Sequence, residues 1–404
     1  MIEPIPRGGS AARGGNLPGM SRTSFRRAAA IPGNRSCSGR LTGPPLTLGV
    51  PANAEILFDR RGAAGLVILN RPQALNAVTH DMVRQLAQML ATWAEDGAVT
   101  RVIVTAAGER AFSAGGDLRA IYDLHRAGRF DEALAYWRDE YRLNAFIKHY
   151  RKPYVSLIDG VIMGGGVGVA IHGSHRIAGD RFRFAMPECG IGFFPDVGAS
   201  WFLSRLPGEI GTYYGLTGER VDATDAVKAG VATHRVSSAR FPDLLGALCS
   251  NVSVDAVVGA FAEPLLTAPG TVMACQPAID RLFRGDDVED LLAGLDAAAA
   301  SGSGPDALFA RAMAALIRTK SPTSLKVTLA LLRRGRMLDF DECMRTEFRV
   351  ASRVAAGHDF YEGIRSVIID KDRTPRWQPS ALDEVTEADV ERHFSPLPAE
   401  LSLS

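Results

Sequence analysis

The sequence predicts an α/β fold, a largely parallel sheet wound with crossover helices and followed by a helical C-terminal region. Three observations carry this. Short apolar runs such as Val102-Ile103-Val104 alternate with stretches whose apolar residues recur every three or four positions. Such alternation implies a parallel sheet with right-handed crossovers. A strand, a glycine loop and a helix follow one another twice, at residues 113–117 and 163–168. From about residue 255 onward only helical texture remains.

The first 52 residues stand apart. They are rich in Gly, Pro, Ser and Arg, and Glu3 is their only acid. Such a segment cannot bury enough apolar surface to order itself, so a disordered tail is expected. The Arg-rich, acid-poor composition also suits an organellar transit peptide. The plainer alternative is an extension without function, with Met20 as a start. Heavy use of Ala, Arg and Gly favours that alternative, and a bacterial cytoplasm over a mitochondrion.

Residues 55–58 and 66–69 read as strands joined by a turn at Arg61-Gly62. Pro72 stiffens the loop 70–78, and Thr79 is placed to cap a helix. Met82, Val83, Leu86, Met89, Leu90 and Trp93 fall on one face of that helix. Residues 101–105 form the next strand, and Gly115-Gly116 leads into Asp117 and another helix. Residues 134–149 read as an amphipathic helix and 154–158 as a buried strand. Gly164, Gly165 and Gly166 precede a short helix over 167–172. A short strand over 182–185 follows, then an apparent helix over 197–206. Asp222 caps a helix that Gly230 ends. Farther on, helices are expected over 307–318, over 324–333 with Pro322 just inside its start, and over 340–356. The chain thus divides into a tail (1–52), a core (53–254) and a helical region (255–404).

Across 404 residues, 46 Lys and Arg face 45 Asp and Glu, a net charge of +1. That balance disfavours a nucleic-acid surface. No apolar run reaches the ~18 residues of a membrane span. Five scattered cysteines (Cys37, Cys189, Cys249, Cys275 and Cys343) contain no CxxC pair, so no disulfide framework or zinc ribbon is expected. The sequence leaves room for a homo-oligomer.

The chemistry concentrates between residues 158 and 198. Three successive glycines need a reason, since each costs conformational entropy. Close helix–strand packing is one. A backbone N–H aimed at a ligand oxygen from a helix N-terminus is another. Two isolated acids follow, Glu188 in FAMPECG and Asp196 in GFFPDVG. Asp196 follows Pro195 and precedes the apparent helix, so a capping role competes evenly with a chemical one. Met186, Pro187, Ile191, Phe193 and Phe194 would desolvate Glu188 and raise its pKa, which suits proton transfer near neutrality. Other chemistries find little support. GGGVG is not a dinucleotide fingerprint, and neither GxxxxGK[ST] nor GxSxG occurs. His172 and His175 lack a third metal ligand and read as structural. Cys189 has no nearby His to activate it and reads as a packed core residue.

The segments NRPQALNAV, AFSAGGDLRAI and DGVIMGGGVGVAIHG together resemble the crotonase, or enoyl-CoA hydratase/isomerase, superfamily. FAMPECGIGFFPDVGASWFLSRLPG, SPTSLKVTL, GHDFYEGIRSVIIDKDRTPRW and EVTEADVERHF are similar to its branch of 3-hydroxyacyl-CoA hydrolases. The resemblance spans about residues 54–394. It implies a spiral of ββα units with a helical C-terminal region. It implies an oxyanion hole from the backbone N–H groups of Gly116 and Gly165, catalytic roles for Glu188 and Asp196, and Glu140 beside the substrate. The substrate would contact Glu140, Gly165, Glu188 and Asp196. No metal or cofactor is implied, coenzyme A being part of the acyl-CoA substrate. Hydratases of the superfamily use two glutamates, and Gly168 occupies the position of the first. The implied reaction is therefore hydrolysis of 3-hydroxyisobutyryl-CoA or a close thioester, as in valine breakdown. An enoyl-CoA hydratase or isomerase, and a non-catalytic acyl-CoA-binding or RNA-binding relative, are the competing expectations.

Overall fold

The computed structural model describes residues 54–264, 268 and 270–403, and the expectations for residues 1–52 lie outside them. In chain order the strands are β1 (Ile56–Arg61), β2 (Ala64–Leu69), β3 (Arg101–Ala106), β4 (Ala111–Ser113), β5 (Tyr154–Ile158), β6 (Val161–Met163), β7 (His175–Ala178), β8 (Arg183–Ala185), β9 (Val221–Asp222) and β10 (His234–Arg235). They form two sheets. One has the order β1-β2-β3-β5-β7-β10 and the other β4-β6-β8-β9. The β1–β2 hairpin is antiparallel, with Leu57 opposite Ile68, and the rest of the large sheet is parallel. β3, β5 and β7 are each followed by a three-residue strand of the second sheet, β4, β6 and β8, so the chain winds as ββα turns.

Both faces of the large sheet are covered, which explains its uninterrupted apolar runs. Val67, Val102 and Val104 point into the main core. Their neighbours Leu66 and Ile103 face a second core made with Leu244, Leu248, Val254, Val257 and Val258. The latter five lie on the helices Phe241–Leu248 and Val254–Phe261.

Four helices place the site: α1 (His80–Glu95), α2 (Leu118–Arg126), α3 (Phe130–Lys148) and α4 (Gly165–Ala170). Thr79 caps α1 as expected, accepting the Met82 N–H at 3.3 Å. Asp117 caps α2 by accepting from Ala120.

The structure departs from the sequence reading in three places. The glycine loops follow β4 and β6, not the long strands 101–105 and 154–158. Those three-residue strands are too short for any periodicity to register. Because β4 and β6 are parallel neighbours, both loops leave the same, carboxyl end of the small sheet. The four-residue strand β7 also went unread. Finally, the helix expected over 197–206 begins only at Ala199 and tightens to a 3-10 turn at Leu203–Arg205. Val197 and Gly198 are left-handed, at φ 52° and 87°, and cannot be helical.

Buried Asn76 locks the first glycine loop to this frame. Its Nδ2 donates to the carbonyls of Ala107 and Ala111, both at 2.9 Å. Its Oδ1 accepts from the Arg71 N–H at 2.8 Å, and at φ 54° it sits where Asn is better tolerated than most residues. Asn76→Ala removes the partner of three backbone groups, one bond buried and two partly buried. A loss of about 1–3 kcal/mol is expected in a denaturant titration, the range for an orphaned buried polar group.

Candidate active site

The two glycine loops meet. A Cβ on Gly165 would stand 3.3 Å from the Gly116 nitrogen, and one on Gly115 would stand 3.9 Å from the Gly164 Cα. Gly164, at φ 47°, turns the chain so that α4 starts at Gly165 itself, two residues earlier than its sequence implies. Neither position 116 nor 165 has room for a side chain. At 116 it would strike the Tyr136 hydroxyl at 2.6 Å, and at 165 the Glu140 Oε1 at 2.5 Å. Among the described residues, neither the Gly116 nor the Gly165 N–H donates to a protein acceptor. Two unpaired donors so close together are available to one oxygen.

Those loops border a cavity of about 200 Å³, whose wall includes Glu140, Glu188 and Asp196. All three carboxyls are buried. Glu188 begins a 3-10 turn, Glu188–Ile191, after β8. Its Oε1 lies 3.4 Å from the Cβ position of Gly164, and its Oε2 has no hydrogen-bond partner. Burial, then the nearby Asp196, hold its carboxyl well above the usual carboxylate range. Glu140, on α3, accepts from the Tyr136 hydroxyl at 3.1 Å. Burial and Asp196 push it up as well. Asp196 accepts from the Tyr141 hydroxyl at 2.8 Å, and burial raises it to about 7. Aromatic rings line this side: Trp137 stacks on Phe193 at 5.6 Å, and Phe360 packs tilted against Phe193 at 4.8 Å.

The capping alternative for Asp196 fails. Its carboxylate bonds to Tyr141 rather than to a helix N–H, and only its backbone carbonyl accepts from Ala199. The turn it stands on is held instead by Glu347 of the helix Phe340–Val354. Glu347 Oε2 accepts the Gly198 N–H at 2.7 Å, and Oε1 accepts both the N–H and the hydroxyl of Ser200 at 2.9 and 2.5 Å. Fully buried, Glu347 is raised to about 8. From the other side, His172 Nε2 donates to the Val197 carbonyl at 2.6 Å, and burial lowers its pKa to about 3, so it stays neutral. These bonds pin a turn that holds two left-handed residues.

Sequence reasoning missed Tyr136, Tyr141 and Glu347. The spacing on α3 offers a signal for Tyr136, which stands four residues before Glu140 on one helix, whereas the partner of Tyr141 lies 55 residues away. Glu347 lies about 150 residues from its partners and leaves no local signal. The two histidines do not form a pair: His175 Nε2 faces Asp255 at 3.1 Å. Cys189 is a packed core residue, as expected, with burial pushing its thiol up to about 12. Among the described residues, no group of three His, Cys, Asp or Glu could hold a metal ion.

Paired backbone donors at the edge of a ββα spiral, facing buried carboxyls, define a crotonase-type acyl-thioester site. The chain belongs to the enoyl-CoA hydratase/isomerase family, whose model matches residues 64–394. It is 42% identical over 354 residues to the mitochondrial 3-hydroxyisobutyryl-CoA hydrolase of Danio rerio, covering 86% of this chain and 91% of the relative. The human protein of the same name is 38% identical over 354 residues, covering 86% and 90%. Among solved structures, a carnitinyl-CoA dehydratase from Mycobacterium thermoresistibile superposes with a TM-score of 0.80 at 42% identity, covering 87% of this chain and 99% of that one. An enoyl-CoA hydratase from Rhodobacter sphaeroides gives 0.78 at 39%, covering 86% and 100%.

The raised Glu188 has a measurable consequence. The native state keeps a proton that the unfolded chain has already released. Stability is therefore highest below the unfolded carboxyl pKa and falls as pH rises toward the native value. Glu188→Gln removes this burden. In denaturant titrations its advantage over wild type is expected to be nil near pH 4, growing by up to about 1.4 kcal/mol per pH unit toward neutrality. A constant difference across that range would contradict the burial of a strained carboxyl.

Proposed function

We propose that this protein hydrolyses the thioester of 3-hydroxyisobutyryl-CoA, or of a close 3-hydroxyacyl-CoA, to the free acid and coenzyme A, a step of valine breakdown. One observation carries the reading. The unpaired Gly116 and Gly165 N–H groups share a cavity with the partnerless Glu188 carboxyl, while Gly168 leaves no room for a second acid where hydratases carry one. A Cβ at position 168 would stand 2.6 Å from Asn144 Nδ2 and 2.9 Å from the Val197 Cβ. Hydration across a double bond needs two placed acid/base groups, and hydrolysis does not. The names of the Danio rerio and human relatives support the same reading. The two solved structures named above, titled as a hydratase and a dehydratase, support the fold and the thioester substrate class.

The thioester carbonyl oxygen accepts from Gly116 and Gly165, and these donors stabilise the tetrahedral oxyanion by about 3 kcal/mol each. Glu188, ionised as substrate enters, attacks the carbonyl carbon or takes the proton of an attacking water. The thiolate of coenzyme A then leaves and is protonated. Asp196, held by Tyr141, receives the acyl hydroxyl or the attacking water, and Glu140 lies beside the substrate. Water supplies the hydroxyl of the product acid, so no other co-reactant is needed. A cavity of about 200 Å³ suits a short, branched acyl group.

Location belongs to the proposal as well. The curated relatives named above carry the word mitochondrial, which favours an organellar leader over a bacterial cytoplasmic extension for residues 1–52. Among the described residues no helix is long and apolar enough to cross a membrane.

A panel of acyl-CoA thioesters tests the reaction class. Free thiol is expected to appear fastest from 3-hydroxyisobutyryl-CoA and more slowly from octanoyl-CoA. Crotonyl-CoA is expected to keep its double-bond absorbance. Rapid loss of that absorbance without thiol release would establish a hydratase instead.

A further inference from the structure

A second and larger cavity, of about 660 Å³, opens at the opposite end of α4. The catalytic glycines stand at the N-terminal end of that helix. This cavity is lined by the residues after its C-terminal end, Ile171 to Gly173, and by Tyr154 and Arg176 at the starts of β5 and β7. It therefore opens at the amino ends of the long strands, away from the loops that hold Gly116 and Gly165.

Its lining is chemically one-sided. Lys148, Lys152, Arg176, Arg205 and Lys228 all contribute, and no Asp or Glu does. Among the described residues, Lys148, Lys152, Arg176 and Arg205 make no ion pair with a carboxylate. Arg176 spends its donors on the carbonyls of Val231, Gly173 and Gly230. Arg205 binds the carbonyls of Trp201, Gly335 and Leu338. Lys152 binds the carbonyls of Trp93 and Asp96. Lys148 lies 3.7 Å from the ring centroid of Trp201 and has no carbonyl or carboxylate partner. Carbonyls orient these cations without neutralising them, so the charge remains for an occupant. Burial, then the nearby Arg176 and Arg205, lower the Lys148 ammonium, and burial takes Arg176 down to about 10. A concave wall of one sign focuses its field and concentrates counter-ions.

We propose that this cavity is a binding site for a polyphosphate group, separate from the acyl-CoA site, with Lys148 as its central contact. The spread of Lys148, Lys152, Arg176 and Arg205 around one concavity fits several phosphates better than one. Lysine and arginine are the side chains that recognise such oxygens, the first as point charges and the second as forks. The volume admits either an inorganic polyphosphate or the triphosphate of a nucleotide with part of its sugar and base.

The test uses the full chain and two probes, inorganic tripolyphosphate and ATP, titrated by calorimetry and by the fluorescence of the tryptophans, with the KM for the acyl-CoA thioester measured alongside and expected to be unchanged by either probe. Saturable binding of about one equivalent is expected, together with a melting temperature that rises with probe concentration. ATP binding at least tenfold tighter than tripolyphosphate would identify a nucleotide site, and equal binding would identify a polyphosphate site. Lys148→Met keeps the apolar stem over Trp201 and removes the charge. Its affinity is expected to fall at least tenfold, while its melting temperature without probe and its thiol release stay at wild-type values. Wild-type affinity in Lys148→Met, or no saturable binding of either probe, would overturn the proposal. Should Lys148→Met fold poorly, Lys228→Met, on another wall of the same cavity, is expected to weaken both probes severalfold, and an unchanged affinity there would overturn it equally.

Discussion

The architecture depends on keeping three carboxyl groups out of water beside two backbone donors. Glu140, Glu188 and Asp196 are all raised by burial, and Asp196 raises both of the others. Such a cluster costs stability, because each charge loses its hydration and repels its neighbours. The fold bears that cost with specific bonds. Tyr136 and Tyr141, both on α3, donate to Glu140 and Asp196. Glu347 and His172 clamp the turn below Asp196 from two sides. Glu188 Oε2 is buried and, among the described residues, has no hydrogen-bond partner. A buried carboxylate oxygen left unpaired in a cavity beside two free backbone donors is placed to meet a reacting atom.

The glycines make the same point in backbone terms. Positions 116, 165 and 168 each lie so close to another group that a Cβ would collide. At 116 and 165 the closeness places two N–H groups beside each other at one wall of the cavity. At 168 it removes the space that a second catalytic acid would need. One crowded helix start thereby selects both what the site stabilises and what it cannot do.

Much of this was legible in the chain. The apolar runs of β3 and β5, the Thr79 cap and the helical texture beyond residue 255 follow from local pattern. So do the glycine loops and the desolvation of Glu188. Convergence of the two loops was harder to read. It depends on β4 and β6, strands of three residues whose pairing is set by tertiary contact and not by propensity. Asp196 shows the limit from the other side. Locally it resembles an N-cap, and only the left-handed Val197 and Gly198 turn it inward, held by a glutamate about 150 residues away. Distance in sequence hid Glu347 for the same reason.

The central claim is that Glu188 performs chemistry on a carbonyl held by Gly116 and Gly165. Its most direct measurement is steady-state thiol release from 3-hydroxyisobutyryl-CoA by Glu188→Gln, alongside calorimetric binding of a non-hydrolysable thioether analogue. Gln has nearly the shape of Glu but is neither base nor nucleophile. The account predicts that kcat falls by about two to four orders of magnitude, the range for losing a general base or more, while analogue affinity changes less than severalfold. Wild-type turnover in Glu188→Gln would contradict it.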